Sequence, residues 1–152
     1  MKNKTIILCF MGVDGSGKTT LINFLKKRLK KKFNKIKYFH LRPYFYLIDK
    51  SNVKKNPHEP KKIWPSYVNF IRILYWLIVY RFSFYLFANN SKQLIIFDRY
   101  AHDLMIDPIR YKFNLPNKIT QFILNLFPNP NLWIVLNAPI NVLEKRKKRI
   151  TN

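Results

Sequence analysis

Eight consecutive residues, Gly12-Val13-Asp14-Gly15-Ser16-Gly17-Lys18-Thr19, carry the spacing GxxxxGK[ST] and come directly after an apolar run, Ile6 to Phe10. A phosphate chain concentrates several negative charges in a small volume. Only backbone N–H groups can converge on it densely enough, and the three glycines let the backbone wrap that closely. Lys18 would place a mobile cation over the β and γ phosphates, and the Thr19 hydroxyl would ligate Mg²⁺. The helix expected from Lys18 onward would turn its positive end to the anion. The stretch reads as a site for a nucleoside triphosphate, with ATP and Mg²⁺ as the implied cofactors.

A second group lies far along the chain. Gln93 to Phe97 is an apolar run that ends in Asp98-Arg99-Tyr100. An acid at a strand end is the usual partner of a phosphate loop, where it holds Mg²⁺ directly or through water. Arg99 beside it could grip an acceptor phosphate with its fork of donors. Further cations could meet a substrate phosphate in the same way. They are Arg42, with His40, after a second strand, and Arg72 or Arg81 within a long apolar segment. His102, Asp103 and Asp107 read as capping or supporting residues.

These groups need a scaffold, and the hydrophobic pattern supplies one. Lys4–Phe10, Ile36–Leu41, Gln93–Phe97 and Leu132–Leu136 are short runs suited to strands. Between them, Leu21, Ile22, Leu25 and Leu29 recur at helical spacing on an otherwise lysine-rich segment, and Pro116–Phe127 repeats the pattern before Pro128 stops it. A basic helix is expected over Pro139–Arg149, and residues 44–62 read as a loop. Alternation of strand and helix predicts an α/β fold with a parallel sheet flanked by helices, whose strand ends bring the loop and Asp98 to one edge. No repeat or linker divides the chain, so residues 1–152 read as one domain.

Ile63–Asn90 is the most apolar segment and opens with Pro65 in a first-turn position. Arg72 and Arg81 leave no stretch near the ~18 uncharged residues of a spanning helix, so a buried helix or helix pair is expected. Twenty-nine Lys and Arg against 7 Asp and Glu give a net charge of +22, which suits nucleotides, nucleic acid or an anionic membrane surface. Much of that charge sits in the runs Lys26–Lys37 and Lys145–Arg149, as a solvated face would. The aromatics form no repeated stacking platform, so nucleic acid is not favoured. Peripheral membrane contact stays open without being favoured. The single Cys9 reads as a buried residue of a reducing, cytoplasmic compartment. The basic-then-apolar start is not read as a signal peptide, because cleavage there would destroy the loop.

Gly12 to Thr20, Phe97-Asp-Arg-Tyr100 and Leu132-Trp-Ile-Val-Leu-Asn-Ala-Pro139, in that order, resemble the thymidylate kinase family over nearly the whole chain. The resemblance implies a P-loop NTPase-type fold of the nucleoside monophosphate kinase kind. Gly12, Val13, Asp14, Gly15, Ser16, Gly17, Lys18, Thr19 and Thr20 would then bind the nucleotide. By the same resemblance Asp14 holds the sugar 3′ hydroxyl of the acceptor, Arg99 its phosphate, Asp98 the metal, and Tyr100 stands beside the acceptor. Three features depart from the family pattern. His40-Leu-Arg42-Pro43-Tyr44 replaces Arg-Glu-Pro-Gly-Gly, Asn137 stands where an Asp is usual, and the lid, the adenine-holding strand and the closing helix do not follow, so the domain reads as incomplete at its carboxyl end. Divergent thymidylate-kinase-like proteins with His-x-Arg-Pro and Phe-Asp-Arg-Tyr look closer still.

The expected activity is ATP-dependent phosphorylation of a nucleoside monophosphate, thymidylate first, with Lys18, Asp98 and Arg99 carrying the transfer. Its alternatives are a kinase of another small molecule, such as a nucleoside or a sugar, and an ATP-binding module without catalysis. A nucleotide is the expected partner, and a homodimer stays open.

Overall fold

The computed structural model describes residues 5–41, 64–88, 92–139 and 141–143. The chain divides into two compact units. The first takes the residues up to Leu41, Phe87–Tyr100 and those from Pro130; the second takes Arg42–Leu86 and Ala101–Asn129. The loop read over 44–62, Arg42, and the basic residues 145–149 lie outside the described residues.

Among the described residues the first unit is a four-stranded sheet in the order β2-β3-β1-β4, built from β1 (Ile6–Gly12), β2 (Lys35–His40), β3 (Gln93–Asp98) and β4 (Leu132–Leu136). Every pairing is parallel. β1 and β3 are central, and their near-continuous apolar composition fits strands covered on both faces. Helix α1 (Lys18–Leu29) follows β1 and packs on one face of the sheet. There Leu8, Phe10, Ile22, Leu94 and Ile96 form a buried cluster, extended by Leu21, Leu25, Leu29, Phe33 and Ile36. Each side chain fully buried in such a core contributes about 1.5–3 kcal/mol. On the other face Phe39 stacks on Phe87 at 5.7 Å and on Phe97 at 5.5 Å.

The order of strands creates the crevice that matters. β1 connects to β2, beyond β3, whereas β3 connects to β4, beyond β1. Adjacent central strands whose connections leave in opposite directions open a cleft at their carboxyl ends, where open α/β sheets bind ligands. Phe10 pairs with Asp98 in the β1–β3 ladder, so the turn after β1 and the acid ending β3 share that edge.

The second unit holds most of α2 (Ser66–Ala88), with α3 (Asp103–Ile106) and α4 (Asn117–Asn125). α2 is one continuous helix of 23 residues, not a pair. Its buried residues Asn69, Ile73, Trp76, Tyr80 and Ser83 recur every three or four positions, while Tyr67, Ile71, Tyr75, Ile78, Phe82 and Tyr85 are exposed. The expected buried helix thus buries one stripe and leaves the opposite one exposed. Arg72 and Arg81 do not interrupt it, because each guanidinium reaches a carbonyl: Arg72 donates to Tyr111 at 2.8 Å and Arg81 to Leu126 at 2.9 Å. By length and composition alone α2 is apolar enough to cross a membrane.

Candidate functional site

β1 ends at Gly12, and the chain turns through Val13–Gly17 into α1. Gly12, Gly15 and Gly17 have φ of 137°, 86° and 95°, in the region that favours glycine. At Gly12 space closes as well, since a Cβ there would stand 2.2 Å from the Leu136 carbonyl oxygen. Gly17 precedes α1 with no side-chain cap, and the helix has no acid in its first turn. Its first-turn amides, which a helix cannot satisfy internally, thus belong to the loop and give it a positive end.

Lys18 is buried, and its ammonium donates to the carbonyls of Gly12 at 2.7 Å and Val13 at 2.8 Å. The lysine of the loop is held folded across the loop's own backbone. Ser16 is buried too, and its hydroxyl oxygen has no hydrogen-bond partner among the described residues. Asp14, half exposed, pairs with the guanidinium of Arg99.

β3 delivers the opposing wall. Asp98 is buried at its end; one carboxylate oxygen, Oδ2, accepts from the Tyr38 hydroxyl at 2.9 Å, while Oδ1 is buried with no hydrogen-bond partner among the described residues. Arg99 follows with a left-handed φ of 77°, and its amide donates to the Phe10 carbonyl at 2.9 Å. That unfavourable backbone state turns the guanidinium back to the loop, and strain of this kind clusters at functional sites. Leu41, at φ 65°, makes a matching turn after β2 and donates to the Asp98 carbonyl at 2.9 Å.

Loop, α1, β2 and β3 enclose a cavity of about 1010 Å³ in the first unit. Asp14, Gly15, Gly17, Lys18, Thr19 and Thr20 line it from the loop side, and Asp98 and Arg99 from β3. Gly12, Val13 and Ser16 belong to the same turn but are not in this lining. Tyr100 is not in this lining. It is fully buried and packs edge-on against Phe97 at 5.5 Å and Trp133 at 5.2 Å, which makes it a core aromatic rather than a substrate contact. Burial also pushes its hydroxyl well above the ordinary tyrosine pKa, helped by Cys9. Arg72 lies in the second unit against the Trp76 and Phe113 rings, and Arg42 is outside the described residues.

The cavity also uses Leu21, Phe24 and His40. His40 is marked in the sequence by its place at a strand end, whereas nothing in the motifs marks Phe24. Its one signal is an aromatic ring on the wet face of a lysine-rich helix, where it remains 54 % exposed.

The donor set suits a hard divalent cation. A buried carboxylate oxygen without a partner is costly unless a cation or water takes it. Asp98 Oδ1, with the Thr19 hydroxyl in the same cavity, offers the oxygen ligands Mg²⁺ prefers. Among the described residues no group of three or more His, Cys, Asp or Glu forms a cage of its own. Such a metal would complete its coordination with phosphate oxygens and water.

A glycine turn between β1 and α1 facing an acid on the neighbouring parallel strand defines a P-loop α/β fold of the nucleotide-kinase type. Two solved thymidylate kinases share it. The enzyme from Ehrlichia chaffeensis superposes with a TM-score of 0.53 at 15 % identity, covering 96 % of this chain and 83 % of that one. The enzyme from Candida albicans, described as having broad substrate specificity, gives 0.57 at 16 % identity, covering 95 % and 68 %. No protein-family model matches the chain, and no curated protein matches it. The resemblance carried by the motifs is thus met at the level of fold.

Proposed function

We propose that the chain transfers the γ-phosphoryl group of ATP to a nucleoside monophosphate, with thymidylate the first acceptor to test. The observation that carries this reading is the cavity in which the glycine turn, Lys18, Asp98 and Arg99 meet. Phosphoryl transfer asks a protein for little covalent chemistry. It asks for donor and acceptor in line, with the charge of the transferred group neutralised.

Each part has a candidate here. The loop amides and the start of α1 cradle the phosphates of ATP. Lys18 exchanges the Gly12 and Val13 carbonyls for phosphate oxygens, a favourable exchange for an ammonium because the new partners are charged. Thr19 and Asp98 would hold Mg²⁺, which would neutralise charge on the phosphates. Arg99 has five donors, so it can keep Asp14 and still present a fork to the acceptor phosphate. Asp14, half exposed, would accept from a sugar hydroxyl of the acceptor. Phe24 offers a ring on which a planar base can lie.

The test is a panel of acceptors with radiolabelled ATP and Mg²⁺: thymidylate, other nucleoside monophosphates, nucleosides and sugars. Label appearing in a nucleoside diphosphate, and lost in Lys18→Ala, supports the proposal. Transfer confined to nucleosides or sugars replaces the acceptor class. Tight ATP binding with no transfer to any acceptor identifies a binding module instead.

A further inference from the structure

Asp98 is a short side chain whose terminal torsion is intrinsically broad and two-fold, so its two oxygens exchange places unless something distinguishes them. In this fold Tyr38 distinguishes them. On β2, Ile36, Tyr38 and His40 point to the same face, because side chains alternate along a strand. Ile36 packs into the core beneath α1, and His40 pairs with Asp98 in the β2–β3 ladder. Tyr38 is thereby the diagonal neighbour of Asp98, and its hydroxyl closes on Oδ2 at 2.9 Å, leaving Oδ1 as the carboxylate oxygen without a partner among the described residues.

The tyrosine is itself held. The Lys26 ammonium stands 3.9 Å above the centre of its ring. A cation over a phenol draws charge from the ring and strengthens the hydroxyl as a donor. Lys26 belongs to α1, the helix that begins with Lys18 and Thr19. The phosphate cradle and the carboxylate across from it are therefore joined by a short path: α1, Lys26, the Tyr38 ring, Asp98. Ligand-orienting contacts of this sort decide how well a carboxylate is presented to a metal.

We propose that Tyr38 is the positioning residue of the site: its hydroxyl pins one oxygen of Asp98 so that the other is presented to a phosphate-bound divalent cation, and Lys26 holds the ring in place. This rests on the kinase reading of the cavity. It adds a residue that the phosphate-binding motif does not contain and a cation from the lysine-rich face of α1.

The experiment titrates Mn²⁺, followed by electron paramagnetic resonance, into the full chain with a non-hydrolysable ATP analogue, for the native protein and for Tyr38→Phe. The variant should bind Mn²⁺ about tenfold more weakly, the usual size of a lost ligand-orienting contact. Its metal-free affinity for the analogue and its melting temperature should stay near the native values. In an Asp98→Asn background, Tyr38→Phe should add nothing further, because the hydroxyl acts through that carboxylate. Lys26→Met should weaken Mn²⁺ in the same direction by a smaller factor, and it reads the same path if Tyr38→Phe folds poorly. Unchanged Mn²⁺ affinity in Tyr38→Phe, or equal losses with and without Asp98, overturns the proposal while leaving the kinase reading intact. Failure of the native chain to bind the analogue with Mn²⁺ overturns the kinase reading, and this one with it.

Discussion

Arg99, buried at the end of β3, pairs with Asp14 in the middle of the glycine turn, although 85 residues separate them in the chain. The contact joins the two motifs directly. It shows that the turn and the strand end are not merely on one edge of the sheet but within side-chain reach across the cleft.

On the proposed reading, Arg99 meets the acceptor phosphate through its fork of donors rather than through its charge alone. Arg99→Lys keeps the cation and loses the planar pair of donors, so the acceptor KM should rise about tenfold or more, the scale of one lost charge-assisted hydrogen bond. Asp14 is half exposed but its partner Arg99 is buried, so Asp14→Ala should cost more than an exposed pair does, about 1–3 kcal/mol in urea unfolding. Steady-state kinetics with the best acceptor checks the first effect, and urea midpoints check the second.

Two glycines of the turn should respond unequally to alanine. At Gly12 a Cβ meets the Leu136 carbonyl at 2.2 Å with φ at 137°, and both the clash and the backbone state are unfavourable. Gly12→Ala should cost about 3 kcal/mol or more. At Gly15 the nearest atom is Leu143 at 3.5 Å, so only the φ of 86° is penalised, and about 1–2 kcal/mol is expected. Urea midpoints for the two variants measure the difference; equal losses would mean that the Gly12 turn does not pack under β4.

Much of this arrangement is legible in the chain itself. β4 coincides with the run Leu132–Leu136, and β1 and β3 fall within two residues of their expected ends, because a short apolar run of β-formers bounded by turn residues has few other solutions. The loop is legible because each of its fixed letters answers a local demand. What stays hidden depends on contacts between distant residues: the order of the strands, the Arg99–Asp14 pair, and the Tyr38–Asp98 bond across 60 positions. α3 is four residues long, too short for any period to show, and in the sequence it is only a polar stretch. Tyr100 illustrates a related limit, since a motif places a residue next to a site without saying which way its side chain turns.

Helix α2 offers a test of its two faces. Tyr80 is fully buried and meets Phe127 edge-on at 5.2 Å, whereas Ile78, two positions away, is 67 % exposed. Tyr80→Ala should cost about 3–5 kcal/mol, as large-to-small changes in a packed core do. Ile78→Ser should stay within about 0.5 kcal/mol. Thermal unfolding of both variants checks the assignment, and a large loss in Ile78→Ser would show that the outer stripe is covered in solution.

His102 should make the protein sensitive to mild acid. Burial lowers its pKa from the ordinary value of 6.5, and the neighbouring Asp103 opposes that shift without cancelling it. The folded chain therefore prefers the neutral imidazole, while the unfolded chain protonates it near the ordinary value. As pH falls below about 6.5 the unfolded state binds more protons, so stability declines from its value at neutral pH and levels off once the pH is below the folded pKa as well. Replacing the ring by an amide in His102→Gln removes this contribution. Melting temperatures measured at about pH 7.5, 6.5 and 5.5, which bracket the ordinary value, should fall more for the native chain than for the variant. Parallel curves would show that the imidazole titrates alike in both states.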